Sequence, residues 1–243
     1  MSQAANSITL LDPDLIDFPD TANALKDPDG LLAVGGDLTP EWLLAAYRRG
    51  IFPWFSDDQP ILWWSPSPRC IVRPQALSLS RSLRKVIRQG RYQVTFDRAF
   101  EAVMEGCAAP RANQPGTWIT ADMCDAYTTM HRLGHAHSVE TWLDGKLVGG
   151  LYGLAVGRMF YGESMFHRAT DASKVAFAHL VRQLAVWGCE LIDCQVSNPH
   201  LLSLGAEEIS RTEFEEALRV EIEKPGFPEP WPPTPSPGLF DGT

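Results

Sequence analysis

Residues 158–196 read RMFYGESMFHRATDASKVAFAHLVRQLAVWGCELIDCQV, and this stretch decides the fold. It predicts a strand over Met159–Phe166, a helix from about Asp171 to Trp187 and a second strand over Glu190–Val196. Asp171 or Ser173 can cap the helix, and Gly188 ends it. Each strand carries a carboxylate, Glu163 or Asp193, where an apolar residue would pack better. A buried ionised carboxylate is costly unless something pairs with it or uses it. Alternate strand residues share a face. That rule groups Asp193 with Gln195 and sets Ile192, Cys194 and Val196 opposite; it likewise groups Tyr161, Glu163 and Met165. If the helix returns the second strand beside the first, two carboxylates and a carboxamide line one cleft. Satisfying loop or helix-end donors is the competing explanation.

Upstream of this stretch the pattern is a meander. Strands are expected over Ser138–Leu143 and Leu147–Val156, with a hairpin at Asp144-Gly145 and a turn at Gly157-Arg158. Before them, Thr120 can cap a helix over Ala121–Leu133 that Gly134 closes, and a turn is expected at Gln114-Pro-Gly-Thr. A further helix is expected near Phe96–Cys107. Residues 112–223 therefore read as a mixed α/β layer.

The first 68 residues read as a smaller α+β domain. Thr39, Pro40 and Gly50 bracket a helix over Trp42–Arg49. The following IFPWFSDDQPILWWSPSPR is too rich in proline for a long element, so a packed aromatic loop with a strand around Ile61–Trp64 is expected. Residues 69–111 form a basic segment whose affiliation to either domain stays open. Residues 224–243 hold seven prolines in twenty positions, which predicts an extended or disordered surface tail.

The net charge of −9 is unevenly spread: residues 69–111 hold nine basic and three acidic side chains, whereas residues 1–68 hold three and ten. An acidic chain with one concentrated basic segment suggests a polyanionic and a cationic partner. Within that segment Ser80 caps a helix ending at Gly90. Arg81, Arg84, Lys85 and Arg88 fall on one face, with Leu83, Val86 and Ile87 opposite. Such stripes are commonly just solvated; four cations without an acidic neighbour also suit a phosphate backbone.

No basic and apolar leader opens the chain and no apolar run reaches eighteen residues, so neither secretion nor membrane spanning is expected. Five cysteines, odd in number and without a CxxC pair, favour a reduced cytoplasmic setting without structural zinc. His131, His135 and His137 lack a convincing fourth ligand and read as structural.

A set of strings then occurs in order: GDLTPEWLLAAYRRGIFPWF, ILWWSPSPR, GTWIT, LGHAHSVE, LVGGLYG, FYGESMF, ASK, LIDCQ and SLGAEEI. Together they closely resemble the leucyl/phenylalanyl-tRNA–protein transferase family over roughly residues 15–215. The resemblance implies a GNAT-like C-terminal domain and a monomeric cytoplasmic enzyme without a cofactor. Such an enzyme moves Leu or Phe, and Met as a further candidate, from aminoacyl-tRNA to proteins with N-terminal Arg or Lys, marking them for degradation by the N-end rule. It further implies that Gln195 engages the reacting amine and carbonyl, that Asp193 polarises Gln195 or takes the proton, and that Glu163 clamps a substrate group. Trp54 and Trp118 would stack on the terminal adenine, with Tyr47 and Tyr127 hydrogen-bonding near it; core packing suits Trp63 and Trp64 better. Leu151, Phe160, Met165 and Phe166 are the candidates for the side-chain pocket, although strand alternation sets Phe160 and Phe166 opposite Met165. The stripe Arg81, Arg84, Lys85 and Arg88 would meet the tRNA backbone.

Two other functions compete. An acetyl-CoA-dependent N-acetyltransferase would need a glycine-rich turn before the crossover helix to cradle pyrophosphate, and HRATDASK contains no glycine. A non-catalytic tRNA-binding protein leaves Glu163, Asp193 and Gln195 unexplained.

Overall fold

The computed structural model describes residues 8–110 and 117–241. Two sheets organise it. The smaller joins β1 (Thr9–Leu11), β2 (Leu31–Gly35), β3 (Phe52–Pro53) and β4 (Leu62–Trp64) in the order β1-β2-β4-β3. The larger comprises β5 (Arg69–Val72), β6 (Gln93–Phe96), β7 (Ala136–Leu143), β8 (Lys146–Val156), β9 (Met159–His167), β10 (Ile192–Gln195) and β11 (Glu207–Ile209). Its order is β11-β5-β10-β9-β8-β7-β6. Seven helices accompany them among the described residues: α1 (Pro40–Tyr47), α2 (Arg81–Arg88), α3 (Phe100–Ala108), α4 (Ala121–Arg132), α5 (Ala172–Val186), α6 (Pro199–Ser203) and α7 (Arg211–Glu221). The class is mixed α/β, with the meander, crossover helix and strand in the order read from the sequence.

Local chemistry explains these elements. Ser80, Thr120 and Ser210 each accept a backbone N–H of the first helical turn, from Leu83, Met123 and Glu213, satisfying donors a helix start leaves bare. Asp171 flanks α5 in a left-handed conformation (φ 64°) and makes no cap bond; it pairs with Lys174 at 3.0 Å instead. The β7–β8 hairpin turns at Asp144-Gly145, both at positive φ, as a tight two-residue turn demands. The helix expected from Phe96 starts four residues later, because Phe96 ends β6 and pairs with Val139. The turn expected at Gln114–Gly116 lies outside the described residues.

Both strands of the basic segment join the larger sheet: β5 lies between β10 and β11, and β6 is the edge strand beside β7. The small and large sheets share one apolar cluster, in which Trp42, Tyr47 and Trp63 pack with Phe100, Met123 and Tyr161. A second cluster fills the opposite face of the large sheet beneath α5.

The proline-rich tail is extended, but it is anchored. Phe227 and Trp231 are buried, and Trp231 stacks on the His137 ring at 4.0 Å. The Phe96 N–H donates to the Pro233 carbonyl at 3.1 Å, and the Ser236 N–H donates to Gln183 Oε1 at 2.7 Å. Composition alone pointed to a loose segment; two aromatic side chains and these bonds offset the entropy of ordering it. Among the described residues no helix is long and apolar enough to cross a membrane.

Candidate functional site

Strands β9 and β10 run parallel and pair only at Phe160↔Ile192 and Tyr161↔Asp193. Beyond that point each carries a bulge. On β9, Ser164 pairs with Tyr152 and Gly162 with Gly153, leaving Glu163 as the extra residue. On β10, Asp193 pairs with Ile71 and Gln195 with Cys70, leaving Cys194 extra. Bulges interrupt pairing and re-aim side chains, and they concentrate beside active sites. Here two of them part neighbouring strands, and a cavity of about 670 Å³ opens at the parting.

The lining comes from both faces of the sheet. Leu151, Phe160, Phe177, Leu180, Ile192 and Leu201, all from the cluster beneath α5, make an apolar end. Phe52, Trp54, Trp118 and Tyr152 contribute aromatic rings, of which Trp54 and Trp118 reach the surface, and Gly162, Glu163, Ser164 and Gln195 complete the lining. Trp54 is 46% exposed and leans on Trp64 at 5.5 Å between ring centroids.

The β9 bulge corrects the pocket read from strand alternation. One extra residue reverses the parity, so Phe160 and Met165 lie on one face and Phe166 on the other with Tyr161. Leu151, Phe160 and Met165 line the cavity; Phe166 does not. Phe166 instead packs on α3, where a Cβ added to Gly106 would come within 2.6 Å of its ring. Phe177, Leu180 and Ile192, which the sequence reading did not name for the pocket, complete the wall. For Phe177 and Leu180 the signal was present in the apolar face of α5 at i, i+3 spacing.

Asp193 was expected to act on Gln195 or to take the proton. It is fully buried, does not line the cavity, and accepts two bonds from Arg69: Nε to Oδ1 at 2.8 Å and Nη2 to Oδ2 at 2.6 Å. Oδ1 also accepts the Gln195 N–H at 2.9 Å, holding that residue at its left-handed φ of 57°. Such a conformation is costly away from glycine unless neighbours impose it. Arg69 is itself buried and sits against the Phe52 and Phe214 rings. It was counted among the cations available to a polyanion; the fold withdraws it from any such role. An Arg opening the apolar run CIV could have been recognised as needing a buried carboxylate.

Glu163 has no cation against it. It accepts from the Tyr47 hydroxyl at 2.8 Å, the Tyr127 hydroxyl at 3.3 Å and Gln195 Nε2 at 3.1 Å. The two tyrosine hydroxyls lie 2.5 Å apart. Glu163 meets solvent only in part, where it faces the cavity. Burial first, then the nearby Asp193 charge, pushes its carboxyl up to about 8, against the opposing pull of the tyrosine hydrogen bonds. Tyr47 and Tyr127 are buried and absent from the lining. Their hydroxyls are spent on Glu163, so they do not present themselves to an adenine as expected.

The remaining candidates lie elsewhere. Arg81, Arg84, Lys85 and Arg88 are all exposed on α2, with Leu83 buried beneath. His137 is buried between Asp97 at 2.8 Å and Glu229 at 3.1 Å, and His131 Nδ1 meets the Ala136 carbonyl at 2.7 Å. Among the described residues no group of three or more His, Cys, Asp or Glu side chains could hold a metal ion.

Comparison with known proteins places this geometry. The family described as leucyl/phenylalanyl-tRNA protein transferase matches residues 71–219, and its N-terminal domain matches residues 36–67. A leucyl/phenylalanyl-tRNA–protein transferase of Azoarcus sp. (strain BH72) is 63% identical over 197 residues, covering 81% of this chain and 84% of the relative. One of Pseudomonas fluorescens (strain SBW25) is 57% identical over 224 residues, covering 92% and 99%. Among solved structures, a GCN5-related N-acetyltransferase from Kribbella flavida is similar over 70% of this chain and 61% of that one, at 12% identity and a TM-score of 0.36. The chain belongs to the leucyl/phenylalanyl-tRNA–protein transferase family of aminoacyltransferases.

Proposed function

We propose that this protein transfers Leu or Phe, with Met as a further substrate, from aminoacyl-tRNA to the α-amino group of proteins beginning with Arg or Lys. In this reading it acts as a cytoplasmic monomer without a cofactor and marks its acceptors for N-end rule degradation. One observation carries the proposal: a single cavity is lined by a set of apolar side chains, by aromatic rings and by Glu163 with Gln195. An aminoacyl ester has the same three parts, an apolar side chain, a reacting carbonyl and a nucleobase.

The apolar wall seats the amino-acid side chain. Met165 on that wall is unbranched and adaptable, which suits a pocket accepting both Leu and Phe. Trp54 and Trp118 supply rings on which the terminal adenine stacks. The exposed α2 stripe tracks the acceptor-stem phosphates with salt-sensitive, sequence-tolerant affinity.

The chemistry is aminolysis of an ester. An α-amine titrates near about 8, so part of it is already the free nucleophile at neutral pH. Gln195 donates through Nε2 to Glu163, which leaves its carbonyl oxygen to accept from the incoming amine and orient it. Attack forms a tetrahedral adduct, whose collapse breaks the ester C–O bond and sends a proton to the departing ribose oxygen. The amine nitrogen must also lose a proton. Glu163, titrating at about 8, is matched to that proton and faces the cavity. Asp193 cannot take it without surrendering its bonds to Arg69; in this reading it positions Gln195. Of the two roles the resemblance implies for Asp193, this reading keeps the one that acts through Gln195 and moves the proton to Glu163.

The test is incubation of the purified protein with labelled Phe-tRNA and a peptide beginning with Arg. Transfer of label to that peptide, and not to one beginning with Glu, is expected; an unlabelled Arg peptide rejects the proposal.

A further inference from the structure

Two thiols meet at the bulge that sets Gln195. Because Cys194 is the extra residue of β10, Cys194 and Gln195 together oppose Cys70 of β5. Opposed antiparallel residues lie about 4.5–5.5 Å apart at Cα, inside the range of about 4.4–6.8 Å that a disulfide bridges. Both side chains belong to the apolar cluster beneath α5, and both are free thiols in contact through a hydrogen bond. They differ in access. Cys70 is fully buried behind the wall, whereas Cys194 is 8% exposed and forms part of it. Cys189, by contrast, is occupied locally, its thiol donating to the Leu191 carbonyl at 3.3 Å.

We infer that Cys70 and Cys194 form a peroxide-sensitive dithiol whose closure to a disulfide shuts the transfer site. The effect on transfer rests on the function proposed above; the disulfide itself does not. Hydrogen peroxide entering the cavity oxidises one thiol of the pair to a sulfenic acid and leaves as water. The other sulfur then attacks the sulfenic sulfur, the S–O bond breaks, and the departing oxygen leaves as a second water with the attacking thiol's proton. Two thiols and one peroxide thus give one disulfide and two waters. The hydrogen bond between the thiols pulls Cys70 below a thiol's usual value and, with burial, holds Cys194 well above it, so the thiolate character of the pair lies on Cys70. Closure draws Cys194 off the cavity wall and shifts Gln195, its neighbour in the chain. An angstrom-scale misplacement of a positioning group costs about a hundredfold in rate.

The experiment treats the intact protein with hydrogen peroxide, blocks remaining thiols by alkylation, and maps its peptides beside a transfer assay. We expect a linked peptide pair containing Cys70 and Cys194, an approximately hundredfold loss of transfer, and recovery with dithiothreitol. Cys70→Ala should transfer normally before treatment and show no dithiothreitol-reversible loss after it. Inactivation without the linked pair overturns the inference, as does the linked pair without loss of transfer, or a Cys70→Ala protein that inactivates and recovers like the wild type. Peptide mapping of the wild type needs no variant to fold. Failure of the reduced, untreated enzyme to transfer would reject the proposed function and leave the mapping result standing.

Discussion

Asp193 and Glu163 stand on neighbouring strands, yet their surroundings could hardly differ more. Asp193 is sealed from the cavity and held by both arms of a buried guanidinium. Glu163 opens onto the cavity and meets only neutral donors, two phenols and a carboxamide. A carboxylate held by a buried guanidinium is committed to that pair, whereas one that meets neutral donors beside a cavity is free to exchange a proton. The difference underlies the proposed scaffolding role of Asp193 and the proposed proton traffic at Glu163.

The largest expected effect comes from breaking the scaffold. Arg69→Met should cost about 3–5 kcal/mol of stability, because it strands a buried charge. Asp193→Asn should cost less, since its amide oxygen can still accept from the guanidinium, while the double variant Arg69→Met/Asp193→Leu should recover much of the loss. Urea unfolding measures all three; an Arg69→Met protein as stable as wild type would remove the scaffold role.

Glu163→Gln should leave folding intact and reduce kcat by about a hundredfold or more, the usual contribution of a general acid–base group. It should also remove a pH dependence of stability. The folded value of about 8 lies above the unfolded value of about 4.3. The contribution of Glu163 is therefore fully present below the unfolded value and is lost as pH rises through the folded one. Chemical denaturation at intervals across that window should show wild type declining relative to Glu163→Gln, and parallel curves would contradict the assignment.

Substitutions that touch neither carboxylate sharpen the contrast by affecting binding instead. Trp54→Ala should weaken aminoacyl-tRNA binding by about 1–3 kcal/mol, the worth of one stacked base, with the rise in KM exceeding any fall in kcat. Smallest of all, Arg84→Ala should lower the salt dependence of tRNA binding by about one unit of log–log slope. An unchanged slope would return that stripe to a solvated face.

Much of this was legible in the chain. The hairpin at Asp144-Gly145, the Ser80 and Thr120 caps, the crossover helix and the anomaly of two carboxylates in apolar strands all follow from local chemistry. What escaped was non-local. The Arg69–Asp193 pair spans 124 residues of sequence, and no spacing rule connects a basic residue in one strand to an acid in another so far away. Period-two reasoning placed Met165 and Phe166 on the wrong faces because it presumes an unbroken ladder, and a bulge at Glu163 breaks it. Composition anticipated the tail's extended course but not its anchoring. Seven prolines argue against regular structure, but they say nothing of whether Trp231 finds a histidine to stack on.

The pH dependence of transfer, with and without Glu163, tests the account most directly. Single-turnover transfer from Phe-tRNA to an Arg-initiated peptide would be followed below about pH 8, where both the amine and Glu163 gain protons. With two groups required in their unprotonated forms, the logarithm of the wild-type rate should climb with a slope near about two. Glu163→Gln should be slower and climb with a slope near about one, the amine alone remaining. Equal slopes in the two proteins would contradict the assignment of the proton to Glu163.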